Sequence, residues 1–128
     1  VGPGGGLIIG LSAGVVCYYA TGYIKRSLKI DDSLDVFPVH GVGGILGTLL
    51  TGVFASNALG VFSGQEDIAI GAQVSIQAIG ILSAICYTAV VTYVILKVTD
   101  AVVGNRVDEE DEMQGLDLVS HDERGYDL

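Results

Sequence analysis

Three long stretches without a charged side chain constrain this chain more than any other feature. Residues 1–24, 36–65 and 68–96 contain no Asp, Glu, Lys or Arg. A helix needs about 20 predominantly apolar residues to cross the hydrocarbon core of a bilayer, and each stretch is long enough. The sequence therefore predicts an all-α membrane protein, a bundle of three transmembrane helices in contact with lipid.

Composition excludes several other classes of protein. The 128 residues include only six Lys and Arg and carry a net charge of −9, so the chain has no basic surface for nucleic acid. The two cysteines both lie inside uncharged stretches and are too few for a disulfide scaffold. We expect a multi-pass protein of the cell membrane, with no nucleic-acid partner.

The predicted helices are residues 4–24, 36–56 and 68–98, within a membrane portion 1–100 that is followed by an acidic tail, 101–128. The third uncharged stretch would span roughly 44 Å as a helix, against a core of about 30 Å, so it should tilt or extend past the interface. The chain does not begin with Met, and three helices hardly enclose a solute path. We therefore expect it to be a piece of a longer protein.

Glycines mark the faces on which other helices could pack closely. Four glycines recur at every fourth residue in the first half of the first helix, which predicts a packing seam, and the second helix also contains many glycines. The two sets are Gly2, Gly6, Gly10 and Gly14, and Gly41, Gly43, Gly44, Gly47 and Gly52.

The cations predict the orientation in the membrane. All six lie either in the link after the first helix or from Lys97 onward, and none lies in the predicted loop 57–67. Cytoplasmic segments carry the excess of Lys and Arg. The link and the C-terminus are therefore expected in the cytoplasm, and residue 1 and the loop outside.

His40 is the only imidazole within the three uncharged stretches. It follows Asp32 by about 12 Å of helix, which places it near the middle of the membrane if Asp32 marks the interface. Polar side chains at that depth are costly and usually functional. A neutral imidazole both donates and accepts a hydrogen bond, which suits proton transfer or a small polar solute. The alternative is a structural histidine bonded to a neighbouring carbonyl.

Other candidate residues favour structural roles. Asp31, Asp32 and Asp35 precede the second helix and are expected at its entry, with Asp31 and Asp32 as capping residues. The chain contains no phosphate-binding loop and no dinucleotide fingerprint. We expect no metal, no cofactor and no enzymatic activity.

The tail contains an acidic run, residues 108–112, followed by apolar side chains. An acidic run is usually solvated, and a solubilising tail has no need of the apolar residues. Docking of the tail on protein and simple disorder both remain open. The apolar residues are Leu116, Leu118, Val119 and Tyr126.

Two motifs resemble the ammonium transporters of the Amt/Mep/Rh family. The first is residues 31–44, DDSLDVFPVHGVGG, which is similar to the signature of the family's penultimate helix. The second is in the tail and comprises Gly115, Leu116 and Asp117, with Ser120, His121 and Tyr126 further on. The resemblance implies the last three of eleven membrane helices and a regulatory cytoplasmic tail.

The resemblance also implies a function and partners. Family members are homotrimers that take up nitrogen by moving ammonium or ammonia along a path in each subunit, lined by paired histidines. His40 matches the second histidine, and Asp32 matches the counterpart of an Asp at the family's recruitment site. In prokaryotic members the cytoplasmic face binds P-II signal proteins.

Two residues depart from the family pattern, and other functions stay open. Pro38 and Asp122 stand where many members have glycine, so the carbonyls near His40 and the turn in the tail are in doubt. One alternative is a non-conducting ammonium sensor or membrane assembly subunit on the same scaffold. Another is a docking module that consists of the tail alone.

Overall fold

The computed structural model describes residues 1–56 and 68–123, and the described residues form helices and no strands. Three helices are long and two are short. In chain order they are α1 (Pro3–Tyr23), continued by a π-helical turn, Ile24–Leu28; a second π-helical turn, Phe37–Val42, continued by α2 (Gly43–Phe54); α3 (Ile70–Val103); α4 (Glu109–Gln114); and α5 (Leu116–His121).

Three helical segments are long and apolar enough to cross a membrane. They are Pro3–Leu28, Phe37–Phe54 and Ile70–Val103, with 26, 18 and 34 residues. A helix suits the bilayer because it satisfies its backbone hydrogen bonds within the segment. The prediction of an all-α chain with three potential membrane spans is confirmed.

Local chemistry explains where the first helical segment begins and ends. Gly2 is extended, and Pro3 occupies the first turn of α1, where a missing N–H is tolerated. At the other end Lys29 adopts a left-handed conformation, with φ of 52°, and its N–H donates to the carbonyl of Ile24. The segment therefore stops just after its cationic residues, Lys25 and Arg26.

The third long helix extends beyond its predicted end near residue 98. It reaches Val103, so it is about 51 Å long. Gly104 then adopts a φ of 77°, and its N–H donates to the carbonyl of Asp100 at 3.2 Å, which is a common way to end a helix. The predicted loop 57–67 lies outside the described residues.

The chain divides into two compact units, Val1–Ile85 and Cys86–Leu128. Within the first unit, α1 packs against α2 and against the π-helical turn that precedes it. A Cβ placed on Gly5 would lie 3.0 Å from the Cβ of Phe54. A Cβ on Gly52 would lie 3.3 Å from the Cα of Val74.

The predicted glycine seam on α1 has no neighbour among the residues that the structure describes, and it stays a prediction. Gly6, Gly10 and Gly14 have open space where a Cβ would stand, whereas the close contact is at Gly5, on a different face. The periodicity identified glycines in register, but it carried no information about where the bulky Phe54 would lie. On α2, another helix lies close to Gly52, whereas a Cβ on Gly47 would stand in open space.

Replacing Gly52 with leucine should destabilise the first unit. The new side chain would meet the backbone of Val74, and overpacking of this kind costs about 1–3 kcal/mol. Gly47→Leu is the matched control, because it adds the same side chain to α2 where the described residues leave space. The measurement is the unfolding free energy of the 128-residue chain in micelles. Equal losses for both variants would contradict the contact between α2 and α3.

Candidate functional site

His40 lies on the π-helical turn Phe37–Val42, directly before α2. The backbone carbonyl of His40 accepts a hydrogen bond from the N–H of Gly43, and the residue is exposed. A π-helical turn is wider than an α-helical one and frequently occurs at functional sites. The structure thus presents the imidazole on an irregular part of a potential membrane span.

Pro38 lies in the first turn of this helical segment and is fully buried. Its missing N–H is tolerated there, because the first N–H groups of a helix have no partner within the helix. The next residue, Val39, donates to the carbonyl of Asp35 at 3.0 Å. Family resemblance put the carbonyls near His40 in doubt because of Pro38, and the backbone around it is indeed not regular α-helix.

Asp32 holds the entry of the segment that carries His40. Its two carboxylate oxygens accept the backbone N–H groups of Val36 and Phe37, at 2.9 and 2.8 Å. The first N–H groups of a helix have no partner within the helix, and a negative charge is favourable at that end. One side chain therefore satisfies two donors at the start of the second span.

The neighbouring acidic residues make different contacts. Asp35 has a φ of 56°, and its carboxylate pairs with Lys25 Nζ at 2.8 Å. This ion pair connects the turn at the end of α1 with the start of the next helix, and since both side chains are partly exposed it contributes little stability. Asp31 is exposed and accepts a hydrogen bond of 3.5 Å from Ser33 Oγ.

Helix α1 approaches the turn of His40 at Cys17. The thiol of Cys17 is 3.9 Å from the carbonyl oxygen of Val39, and its Sγ would be 3.0 Å from a Cβ on Gly43. Both positions need small groups for the two helices to meet. The two cysteines are free, and Cys86 is exposed.

Among residues 1–56 and 68–123, no three His, Cys, Asp or Glu side chains are grouped as metal ligands. His40 is the only histidine of the first unit, Val1–Ile85. Its imidazole can accept one hydrogen bond and donate another when neutral. The arrangement is thus chemically suited to pass a small polar molecule or a proton.

The tail forms two short helices that meet at Gly115. Gly115 has a φ of 95°, and its carbonyl accepts the N–H groups of Leu118 and Val119 at 3.2 and 3.1 Å. Leu116, Asp117 and His121 lie on α5. Tyr126, the remaining residue of the tail motif, lies outside the described residues.

Asp122 ends α5, at the turn that was in doubt because many family members have glycine there. It adopts a φ of 51°, and its N–H donates to the carbonyl of Leu118 at 3.0 Å. Glu123 adds a bond of 3.0 Å to the carbonyl of Asp117. Asp is among the few residues other than glycine that enter the left-handed region readily. The turn therefore forms with Asp where many family members have glycine.

Sequence reasoning missed the ion pair that connects the segment after α3 with α4. Arg106 binds Glu112 through Nη2 at 2.8 Å to both carboxylate oxygens and through Nε at 3.2 Å. The side chains are 72% and 42% exposed, so the pair contributes at most about 1 kcal/mol. The two residues are six positions apart, which is not a spacing that brings side chains together on a helix, so the sequence alone did not indicate this ion pair.

Comparison with known proteins gives a consistent result. The model of the Ammonium Transporter Family matches residues 1–126. The chain is 40% identical to a putative ammonium transporter of Methanothermobacter thermautotrophicus and 44% identical to an ammonium transporter of Aquifex aeolicus, over 98% and 97% of its length. It covers 31% and 29% of those two proteins, so it spans about a third of the curated relatives it matches.

Replacing Asp32 with alanine should loosen the start of the span that carries His40. Loss of a capping side chain typically costs about 1 kcal/mol, and here two N–H groups lose their acceptor. Asp31→Ala is the control, because it removes the same charge from an exposed residue. Hydrogen exchange at the amides of Val36 and Phe37 measures the effect. Unchanged exchange in Asp32→Ala would show that the cap contributes nothing.

Replacing Gly115 with alanine should weaken α5. A φ of 95° strains any side chain, and the new Cβ would lie 2.7 Å from Asp117 Oδ1, so a loss of about 1–3 kcal/mol is expected. Asp122→Gly, which relieves the left-handed position at the other end, should not reduce stability. Amide exchange at Leu118 and Val119 reports both variants. Equal exchange in the wild type and in Gly115→Ala would contradict the observed backbone.

Proposed function

We propose that this chain, which belongs to the ammonium transporter family, supplies the C-terminal part of a protein that moves ammonium or ammonia across the cell membrane. Residues 1–100 contribute membrane helices, and residues 101–128 form a regulatory tail. The observation that carries the proposal is His40, exposed on the π-helical turn of a potential membrane span. The family comprises transporters rather than enzymes.

His40 lines the solute path in this proposal. This role uses the neutral imidazole, because only that form can both accept and donate a hydrogen bond. It accepts a hydrogen bond from the solute at one ring nitrogen and donates from the other, replacing bonds that the solute made to water. Phe37 and Gly41 flank it within the same turn.

A second histidine, from a part of the protein outside this chain, faces His40 across the path. Two adjacent imidazoles form a continuous line of donors and acceptors, along which a proton or a neutral ammonia molecule moves. The complete protein is a homotrimer with one such path in each subunit. The support for these statements is the match of residues 31–44 to the family motif.

The link 25–35 and the tail face the cytoplasm in this proposal. The cations support that orientation, because five of the six lie in these two segments and the sixth, Lys97, lies near the end of α3 that leads into the tail. The tail motif, with Gly115, Leu116, Asp117, His121 and Tyr126, couples subunits or a P-II signal protein to transport. Its exposed apolar side chains, Leu116 and Val119, supply a surface for docking.

The orientation predicts opposite labelling of two loops. Cysteine introduced at Ser63 of the full-length protein should react with an impermeant maleimide added to intact cells, and cysteine at Ser33 should react only after the cells are opened. The free cysteines, Cys17 and Cys86, are first replaced with alanine. Equal labelling of both sites from outside would refute the topology.

Replacing His40 with alanine in the full-length protein should reduce transport or its selectivity for ammonium. The variant loses the group that exchanges hydrogen bonds or a proton with the solute, while the loss of stability should stay near one or two kcal/mol. The measurements are the melting temperature and the ammonium-driven current of the same purified protein. His121→Ala is the matched control and should retain selectivity, because it removes the imidazole of the tail.

The opposite pattern would identify a structural histidine. In that case His40→Ala would lower the melting temperature strongly, and the folded fraction would transport with the selectivity of the wild type. A folded wild-type protein with no flux at all would favour the sensor or assembly role over transport.

A further inference from the structure

A second candidate site lies at the cationic end of α1, away from the turn of His40. A pocket of about 440 Å³ is lined there by three tyrosines and by the first polar side chains after them. This volume is within the range of pockets that hold small ligands. Its lining includes Tyr18, Tyr19, Tyr23, Arg26 and Ser27.

We propose that this pocket binds the phosphate headgroup of an anionic phospholipid in the leaflet next to the Lys25–Asp35 link. The site is separate from the solute path, and the inference does not depend on whether the protein transports ammonium. Three observations carry it: the ion pairing of the cations, the arrangement of the tyrosines, and the position of the pocket along the helix.

Arg26 is the cation in the lining of this pocket, whereas Lys29 lines a different one. Lys25 is already paired with Asp35 at 2.8 Å, and the Asp32 carboxylate is engaged by two backbone N–H groups. No ion pair of Arg26 occurs among the residues that the structure describes. A guanidinium binds phosphate oxygens through two parallel hydrogen bonds, which makes arginine well suited to this group.

The tyrosines form an exposed aromatic wall beside this cation. Tyr18 and Tyr19 are in edge-to-face contact, with ring centroids 5.5 Å apart, and together with Tyr23 they are 60–75% exposed. Tyrosine rings favour the membrane–water interface, where the ring is in contact with lipid and the hydroxyl with polar headgroups. The hydroxyl groups and Ser27 add hydrogen-bond donors around the guanidinium.

The position of the pocket favours a lipid over a dissolved phosphate. It begins within the apolar span Pro3–Leu28 and ends at the cations that mark its boundary, a rise of about 13 Å along the helix. A ligand that fills it is therefore apolar at one end and anionic at the other. Basic pockets on the cytoplasmic side of membrane proteins are a known setting for anionic headgroups.

The test measures lipid binding by the full-length protein in detergent. Phosphatidylglycerol and phosphatidylcholine are titrated separately, and the dissociation constant is obtained from the rise of the melting temperature with lipid concentration. The wild type should bind phosphatidylglycerol more tightly. Arg26→Gln should weaken that binding about tenfold and leave the affinity for phosphatidylcholine unchanged, since it removes a charge-assisted contact.

Lys29→Gln is the matched control, because it removes one positive charge three residues further on, outside the lining of the pocket. It should retain the affinity for phosphatidylglycerol. If Arg26→Gln does not fold, Tyr18→Phe combined with Tyr23→Phe tests the same pocket by removing two hydroxyl groups, and it should also weaken binding.

Four results would overturn the proposal. Equal loss in Arg26→Gln and Lys29→Gln would show a general attraction to the basic link. A melting-temperature rise of the same size with inorganic phosphate alone would identify a site for free anions. Equal affinity of the wild type for the two lipids would show that the pocket is covered in the complete protein. Undiminished binding in both pocket variants would place the lipid elsewhere.

Discussion

The backbone of a membrane-spanning segment has no water with which to form hydrogen bonds, and most features of this chain follow from that constraint. A regular helix satisfies every interior N–H and carbonyl, but its first turn and any proline leave groups without partners. In the second span the two coincide, because Pro38 lies in the first turn, where a missing N–H is tolerated. Asp32 supplies acceptors for two N–H groups at the start, and the π-helical turn accommodates Pro38 just before His40.

Charged groups in this chain act at the ends of helices. Asp32 is a cap, Lys25 and Asp35 connect two consecutive helices, and Arg106 with Glu112 connects the segment after α3 with α4. The bilayer excludes such groups from the interior because their desolvation is costly. His40 is the only histidine within the three helical segments that could cross a membrane, and a neutral imidazole can both donate and accept a hydrogen bond.

The sequence predicted the number and type of the helices because an uncharged stretch of sufficient length has few other stable forms in a membrane. It predicted helix ends less well, since α3 continues to Val103 until Gly104 adopts a left-handed conformation. The π-helical turn around His40 was not predicted, because it depends on local backbone geometry and has no spacing signature. The contact at Gly5 was missed for a related reason: a glycine pattern identifies space, while the partner, Phe54, is brought there by the tertiary fold.

Phe37 and Gly41 have a consequence for how this site could vary during evolution. The ring of Phe37 lies over Gly41 so closely that a Cβ there would be 3.0 Å from the ring. A side chain at position 41 would therefore displace the ring before it disturbed the helix, and the two positions are not independent. Residues in direct contact typically show non-additive energies. We infer an epistatic pair beside His40, in which the residue tolerated at one position is decided by the residue at the other.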